Sequence, residues 1–266
     1  MNVGIVLVLF FVLGFFIQQS YADEIWTTLR IYSDDVIFDG KWSFLTEWKD
    51  TSEDKIIFDD GKKLVIRTGH DYENLYVMIN FISDKIFDKN ADYGIVCIDG
   101  LNDQTKKPHL DDYCFSVSLG TSKLHSLQGG SDFASNAYWK KIENNPAVIA
   151  VGGMSDVNDR YTKISHATYE FKIPIEIFGR SDVYGFYVGA FDAHESKMYG
   201  WPDTETHFRY PHVPEPENWG NLVSPDKSIP EFADLGLIIF SMLSITIVFS
   251  VLKQKKGNLS IFKPFN

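Results

Sequence analysis

The sequence is short of positive charge. Its 266 residues hold 25 Lys and Arg against 36 Asp and Glu, a formal net charge of −11. A nucleic-acid binder needs a basic face for phosphates, so that class is excluded. Catalytic signatures are missing as well: there is no Gly-x-Ser-x-Gly, no His-Glu-x-x-His, no Cys-x-x-Cys and no phosphate loop. His194-Glu195 lacks a second histidine, and the seven histidines are scattered, as hydrogen-bonded surface histidines are. A carboxylate pair needs no local motif, but nothing positive argues for an enzyme, and a non-catalytic protein is expected. Internal repeats and low-complexity stretches are also absent. What is present is apolar matter, 44% hydrophobic and 15% aromatic, enough for a core and too much for wholesale disorder.

The charge is unevenly placed. Residues 23–233 carry 35 acids and 21 bases, whereas the tail after Leu252 carries Lys253, Lys255, Lys256 and Lys263 and no acid. Between them, Leu235–Leu252 is eighteen residues without a charge. As a helix it would cover ~27 Å, about one hydrocarbon core. The lysines that follow place the C-terminus in the cytoplasm and residues 23–233 outside. At the other end, Val3–Ile17 is uncharged and short for a span, and Ser20 and Ala22 give a small-x-small cleavage site. This reads as a signal peptide over 1–22, the alternative being an uncleaved anchor, since no Lys or Arg precedes it. The expected product is exported and held at the cell membrane. Residues 224–234 form a linker containing Pro230-Glu231-Phe232. Pro-Glu-Phe, apolar helix and basic cluster, in that order, resemble the C-terminal anchoring tails of archaeal surface proteins. In that resemblance a transpeptidase exchanges the helix for a lipid.

Residues 23–223 read as one all-β domain. Leu75, Val77, Ile79 and Phe81 alternate, and Leu64–Thr68 precedes them across the turn Gly69–Asn74, as in a hairpin. Tyr113, Phe115, Val117 and Leu119 alternate strictly. So do Tyr169, Phe171 and Ile173, with Glu170 and Lys172 expected to face water. Val183–Phe191 is apolar on both faces, as a central strand is. With Trp26–Tyr32, Tyr93–Asp99, Lys123–Leu127 and Val148–Val151, about nine strands and no long amphipathic helix predict an antiparallel two-sheet sandwich, immunoglobulin- or jelly-roll-like. Pro174–Phe178 is expected to form a single helical turn.

The two cysteines of an exported domain are expected to be bonded. Val96 and Ile98 mark the core face of one strand, and Phe115 and Val117 that of another, so Cys97 and Cys114 both point off the core. Outward cysteines on strands joined by one loop can meet as a cross-strand pair. The alternative is two free thiols.

Several segments resemble, in order, the signatures of one known family. Asp39-Gly40-Lys41-Trp42 with Glu47-Trp48 resembles the family's opening signature. Asp71–Asn80 resembles its "Asp-x-x-Asn-Leu-Tyr-Val" hairpin strand, and Asp111-Asp112 the acidic lead-in to a strand. Tyr169–Gly179 resembles "Tyr-Glu-x-x-Ile-Pro", Asp182–Asp192 resembles "Gly-Phe-x-Val-x-x-x-Asp", and Trp201 with Trp219-Gly220 the closing tryptophans. Over about residues 35–223 the chain thus resembles the family 9-like carbohydrate-binding modules of the DOMON-like group, which implies a β-sandwich that binds sugars or haem. The resemblance leaves the sugar-stacking aromatics unplaced.

A sugar ring is held by an aromatic face flanked by carboxylates and amides. Two loops have that composition, Asn136–Trp139 and Tyr199–Tyr210. They nominate Tyr138, Trp139, Tyr199, Trp201, Asp203 and Tyr210 for an oligo- or polysaccharide, with Trp42, Trp48 and Trp219 expected in the core. Asp99, Asn102, Asp103, Asp111 and Asp112 bracket one loop, and such oxygens suit Ca²⁺; the alternative is a solvated acidic loop. The rival function is haem-binding electron transfer, for which Met154, Met198 and loop histidines supply ligand types and a Soret band is the discriminator. A structural envelope component is the third possibility.

Overall fold

The computed structural model describes residues 24–31, 36–130 and 138–224. The N-terminal segment, the Pro-Glu-Phe stretch, the apolar run 235–252 and the basic tail lie outside the described residues. Among the described residues no helix is long and apolar enough to cross a membrane.

In chain order the strands are β1 (Ile25–Thr27), β2 (Leu29–Arg30), β3 (Ser52–Ile57), β4 (Lys63–His70), β5 (Asn74–Phe81), β6 (Tyr93–Asp99) and β7 (Asp112–Ser118). Then come β8 (Leu124–Gly129), β9 (Trp139–Ile142), β10 (Ile149–Met154), β11 (Ala167–Pro174), β12 (Val183–Asp192), β13 (Lys197–Trp201) and β14 (Gly220–Val223). One sheet runs β1-β14-β12-β6-β7-β8-β9 with β13 also on β12. The other runs β10-β11-β5-β4-β2 with β3 also on β4. The all-β, two-sheet architecture is as expected, but with fourteen described strands rather than about nine. Pairing is antiparallel except at β1–β14 and β2–β4. There the N-terminal stretch read as one strand breaks in two and passes from one sheet to the other. The additional β3 is an edge strand, largely exposed, and so has no hydrophobic alternation to announce it. Pro174 precedes a 3-10 turn over Ile175–Ile177, one position earlier than the first helical place.

The core between the sheets is built by alternation. Leu75, Val77, Ile79 and Phe81 of β5 meet Val96 and Ile98 of β6, Phe115 and Val117 of β7, and Tyr169 and Phe171 of β11. Both outer faces are also covered. Over the six-stranded sheet, Trp42 and Trp48 lie on Tyr76 and Met78 in a separate cluster. This overturns the expectation that Glu170 faces water. Glu170 is fully buried and accepts from the backbone N–H groups of Asp39 (3.0 Å) and Gly40 (2.7 Å) and from Trp48 Nε1 (3.1 Å). Burial pushes its carboxyl up to about 8. Lys172 is half-buried.

On the outer face of the eight-stranded sheet, Ile95, Cys97, Cys114, Tyr187 and Met198 gather with Val213 and Trp219. Cys97 and Cys114 are directly paired across β6 and β7 and form the disulfide, Cα to Cα 4.1 Å. They do point off the central core, as their phase required, into this second cluster.

Candidate functional site

The segment after β13 turns back over the outer face of the eight-stranded sheet, held there by Val213 and Trp219. Between it and the β12–β13 hairpin lies a cleft of about 350 Å³, lined by Phe191, Ser196, Lys197, Met198, Thr206, His207, Phe208 and His212. Its floor is aromatic. Phe191 and His212 stack at 4.3 Å with rings 9° from parallel, and Tyr93 stacks on Phe191 at 5.1 Å. Tyr93 fixes this pile: its hydroxyl donates to the Pro211 carbonyl (2.9 Å) and lies 2.6 Å from His212 Nδ1. Burial lowers the His212 pKa, with the Phe208 carbonyl opposing, which favours the uncharged imidazole as the ring that stacks on Phe191. Phe208 stands at the rim, 95% exposed.

Polar groups surround these rings. His207 Nε2 is 3.0 Å from Glu215 Oε1. Lys197 Nζ is 2.7 Å from Asp60 Oδ2, which holds the Asp60 carboxyl down to about 2, with help from the Lys62 N–H. Ser196 and Thr206 add hydroxyls. Such a surface can stack on the apolar face of a sugar ring and hydrogen-bond its rim.

The structure divides the nominated aromatics. Tyr138 is 42% exposed and stacks on the cleft residue His207 at 6.1 Å, but is itself outside the cleft lining. Tyr210 is half exposed, edge-on to Tyr93 and His212, with its hydroxyl 2.9 Å from Ser116 Oγ. Asp203 is exposed, outside the cleft lining. Trp139 opens β9, half-buried, face to face with Trp219 at 6.2 Å. Tyr199 and Trp201 present no face to solvent. They belong to β13, not to a loop, and its alternation turns both into the central core. There Tyr199 meets Phe58 and Phe81, and Trp201 meets Trp26 at 5.2 Å. Trp42, Trp48 and Trp219 are buried. None of the lining residues, Phe191, Lys197, His207, Phe208 and His212 among them, was nominated for sugar binding from the sequence. His207 and Phe208 fall inside the loop Tyr199–Tyr210 already marked by composition, and His212 lies just beyond it. Met154 and Met198 lie on different sheets, on β10 and β13.

The acidic loop sits at the far end of β6. Asp99, Asp111 and Asp112 bring carboxylate oxygens within 4.8 Å of one another, and Asp111 is shared with a second such grouping, with Asp103 and His109. Asp103 Oδ2 is 3.5 Å from His109 Nδ1. Asn102 donates to Asn221 Oδ1 at 2.8 Å. Burial, with Asp99, Asp111 and Asp103 adding repulsion, pushes the Asp112 carboxyl up to about 8.

No family model matches the chain, and no curated protein matches it. Solved structures do. A carbohydrate-binding module of family 9 from Caldicellulosiruptor kristjanssonii, in complex with cellotriose, is similar with a TM-score of 0.50 and 11% identity, over 79% of this chain and 97% of that one. The module of that family from the same organism in complex with glucose gives 0.49 and 11%, over 76% and 95%. The fold of this chain is therefore similar to that of a family 9 carbohydrate-binding module.

Proposed function

We propose that this chain is a non-catalytic carbohydrate-binding protein, exported and held at the cell membrane by its C-terminal apolar segment, with the sandwich outside. The observation that carries the reading is the cleft: an exposed Phe208 ring beside the stacked Phe191–His212 pair, ringed by Ser196, Lys197, Thr206 and His207. The likeness in fold to a module described with cellotriose makes β-glucans the first ligands to try. The charge step across residues 235–256 supports the anchor.

The test has two arms. Protease added to intact cells should remove the sandwich and spare the lysine tail; a protected sandwich would refute the topology. The full-length protein should bind an oligosaccharide on a glycan array, and Phe208→Ala should weaken that binding by ~1–3 kcal/mol, the worth of one large apolar face. Because Phe208 is exposed, its variant should melt with the wild type. An array without any bound glycan, or a Phe208→Ala variant that binds unchanged, would refute the cleft as the site.

A further inference from the structure

The acidic end of β6 and β7 is unlike a solvated loop. Asp99 and Asp112 are directly opposite each other across the two strands, and neither is exposed at all. Like charges placed directly opposite repel, and buried charge needs an ionic partner. Among the described residues, no basic side chain forms an ion pair with Asp99, Asp111 or Asp112.

The oxygens of the cluster are unevenly used. Asp99 is largely engaged by the backbone: Oδ1 accepts from Leu101 (3.1 Å) and Asn102 (2.6 Å) and Oδ2 from Gln104 (3.2 Å), which leaves Oδ2 room for one more partner. Asp112 Oδ2 accepts from the His109 N–H at 2.5 Å. Three buried oxygens have no hydrogen-bond partner: Asp112 Oδ1, Asp111 Oδ2 and Asn102 Oδ1. A bare glycine completes the surround. A Cβ on Gly185 would stand 2.7 Å from Asp99 Cβ and 3.2 Å from both Asp99 Oδ2 and Asn102 Oδ1, so only the missing side chain lets β12 approach these oxygens.

We propose that Asp99, Asp111, Asp112 and Asn102 form a binding site for one divalent cation, and that the cation is Ca²⁺. The donors are all hard oxygens, which suit Ca²⁺ or Mg²⁺ over thiophilic metals. Ca²⁺ takes ~6–8 oxygens in a flexible arrangement, whereas Mg²⁺ demands a near-ideal octahedron and keeps several waters; side-chain oxygens gathered from a loop and two strand ends, with the carboxylates within 4.8 Å of one another, suit the more adaptable ion. The site is separate from the aromatic cleft, which lies toward the other end of β12, so the two readings stand or fall independently.

The full-length chain, purified in mild detergent and stripped with chelator, is titrated with CaCl₂ by calorimetry and melted in parallel. One saturable binding event is expected, with a melting temperature raised by roughly 3–6 °C at about ten times the Kd. MgCl₂ at the same concentration should do much less. Asp111→Asn, at the half-exposed rim, should weaken Ca²⁺ about tenfold or more while melting normally without metal. Asp112→Asn should do the same; should it fail to fold, Asp111→Asn decides. Neither heat nor a shift in melting at about 10 mM Ca²⁺, beyond the range of extracellular modules, would overturn the proposal. Wild-type affinity in Asp111→Asn would overturn it too, since the ion would then sit elsewhere.

Discussion

The two ends of β6 each bury a group of carboxylates, and they solve the same problem differently. At one end Asp99, Asp111 and Asp112 converge within 4.8 Å. At the other, Asp84, Asp92 and Asp192 are nearly as buried but do not converge to that degree. Each instead takes one backbone N–H: Asp84 from Ile86 (3.1 Å), Asp92 from Ala193 (2.8 Å) and Asp192 from Glu195 (3.0 Å). Burial and mutual repulsion push Asp84 up to about 7 and Asp92, chiefly by burial, up to about 6. Convergence decides which remedy is open. Oxygens that meet at a point can share one cation; carboxyls that only crowd each other can relieve the repulsion by keeping protons.

The ends differ also in how they are held. The Cys97–Cys114 bond ties β6 to β7 two residue pairs in from Asp99 and Asp112, and nothing covalent holds the Asp92 end. Replacing both cysteines with alanine should have the largest effect on the molecule. A bridge across 17 residues is worth ~3 kcal/mol in the chain-entropy model. Denaturant unfolding of the double variant should show a loss of that size. A loss below about 1 kcal/mol would mean that the cluster around Cys97 holds the hairpin without the bond.

The proton remedy carries a sign. Asp84 and Asp92 hold protons in the folded chain at pH values where the unfolded chain, with carboxyls near 3.8, has released them. Folding therefore takes up protons between pH 3.8 and about 7, and stability falls as pH rises through that window. The melting temperature should be several degrees lower at pH 8 than at pH 5. Asp84→Asn, which cannot ionise, should narrow that gap by gaining most at pH 8. An Asp84→Asn variant with the wild-type pH slope would show that Asp84 is ionised in the folded chain and that the contrast between the ends is false.

How much of this could be read from the residues follows from what alternation encodes. It says which side chains share a face, so the central core and the off-core phase of Cys97 and Cys114 were legible. It does not say whether the far face is covered. Glu170 was expected in water because it alternates with Tyr169 and Phe171, yet the segment carrying Trp42 and Trp48 lies over it. The same blindness hides the cleft. Its floor pairs Phe191 on β12 with His212 in a loop, a contact set by how a distant segment folds back. Tyr199 and Trp201 were misplaced for a simpler reason: Gly200 and Pro202 beside them look like a turn, while the pairing partner Val188–Asp192 that makes β13 a strand lies beyond a hairpin. The acidic loop, by contrast, was visible because its donors are neighbours in the chain; which of the five converge was not.

The smallest effect is the sharpest probe of the Asp92 end. Tyr169 lies in the central core with its ring fully buried. Its hydroxyl has no hydrogen-bond partner, and Asp92, Asp84 and Asp192 together, after burial, push its pKa well above the ordinary value. A buried hydroxyl without a partner is a cost, not a gain. Tyr169→Phe keeps the ring and removes only that oxygen, so it should leave stability unchanged or raise it by up to about 1 kcal/mol. Denaturant midpoints at pH 5 and pH 8 measure this directly. A loss of more than about 1 kcal/mol at either pH would mean that the hydroxyl is satisfied, by an ordered water or a carboxyl proton. The Asp92 end would then be a connected polar network, closer in kind to the cation site than its scattered carboxylates suggest.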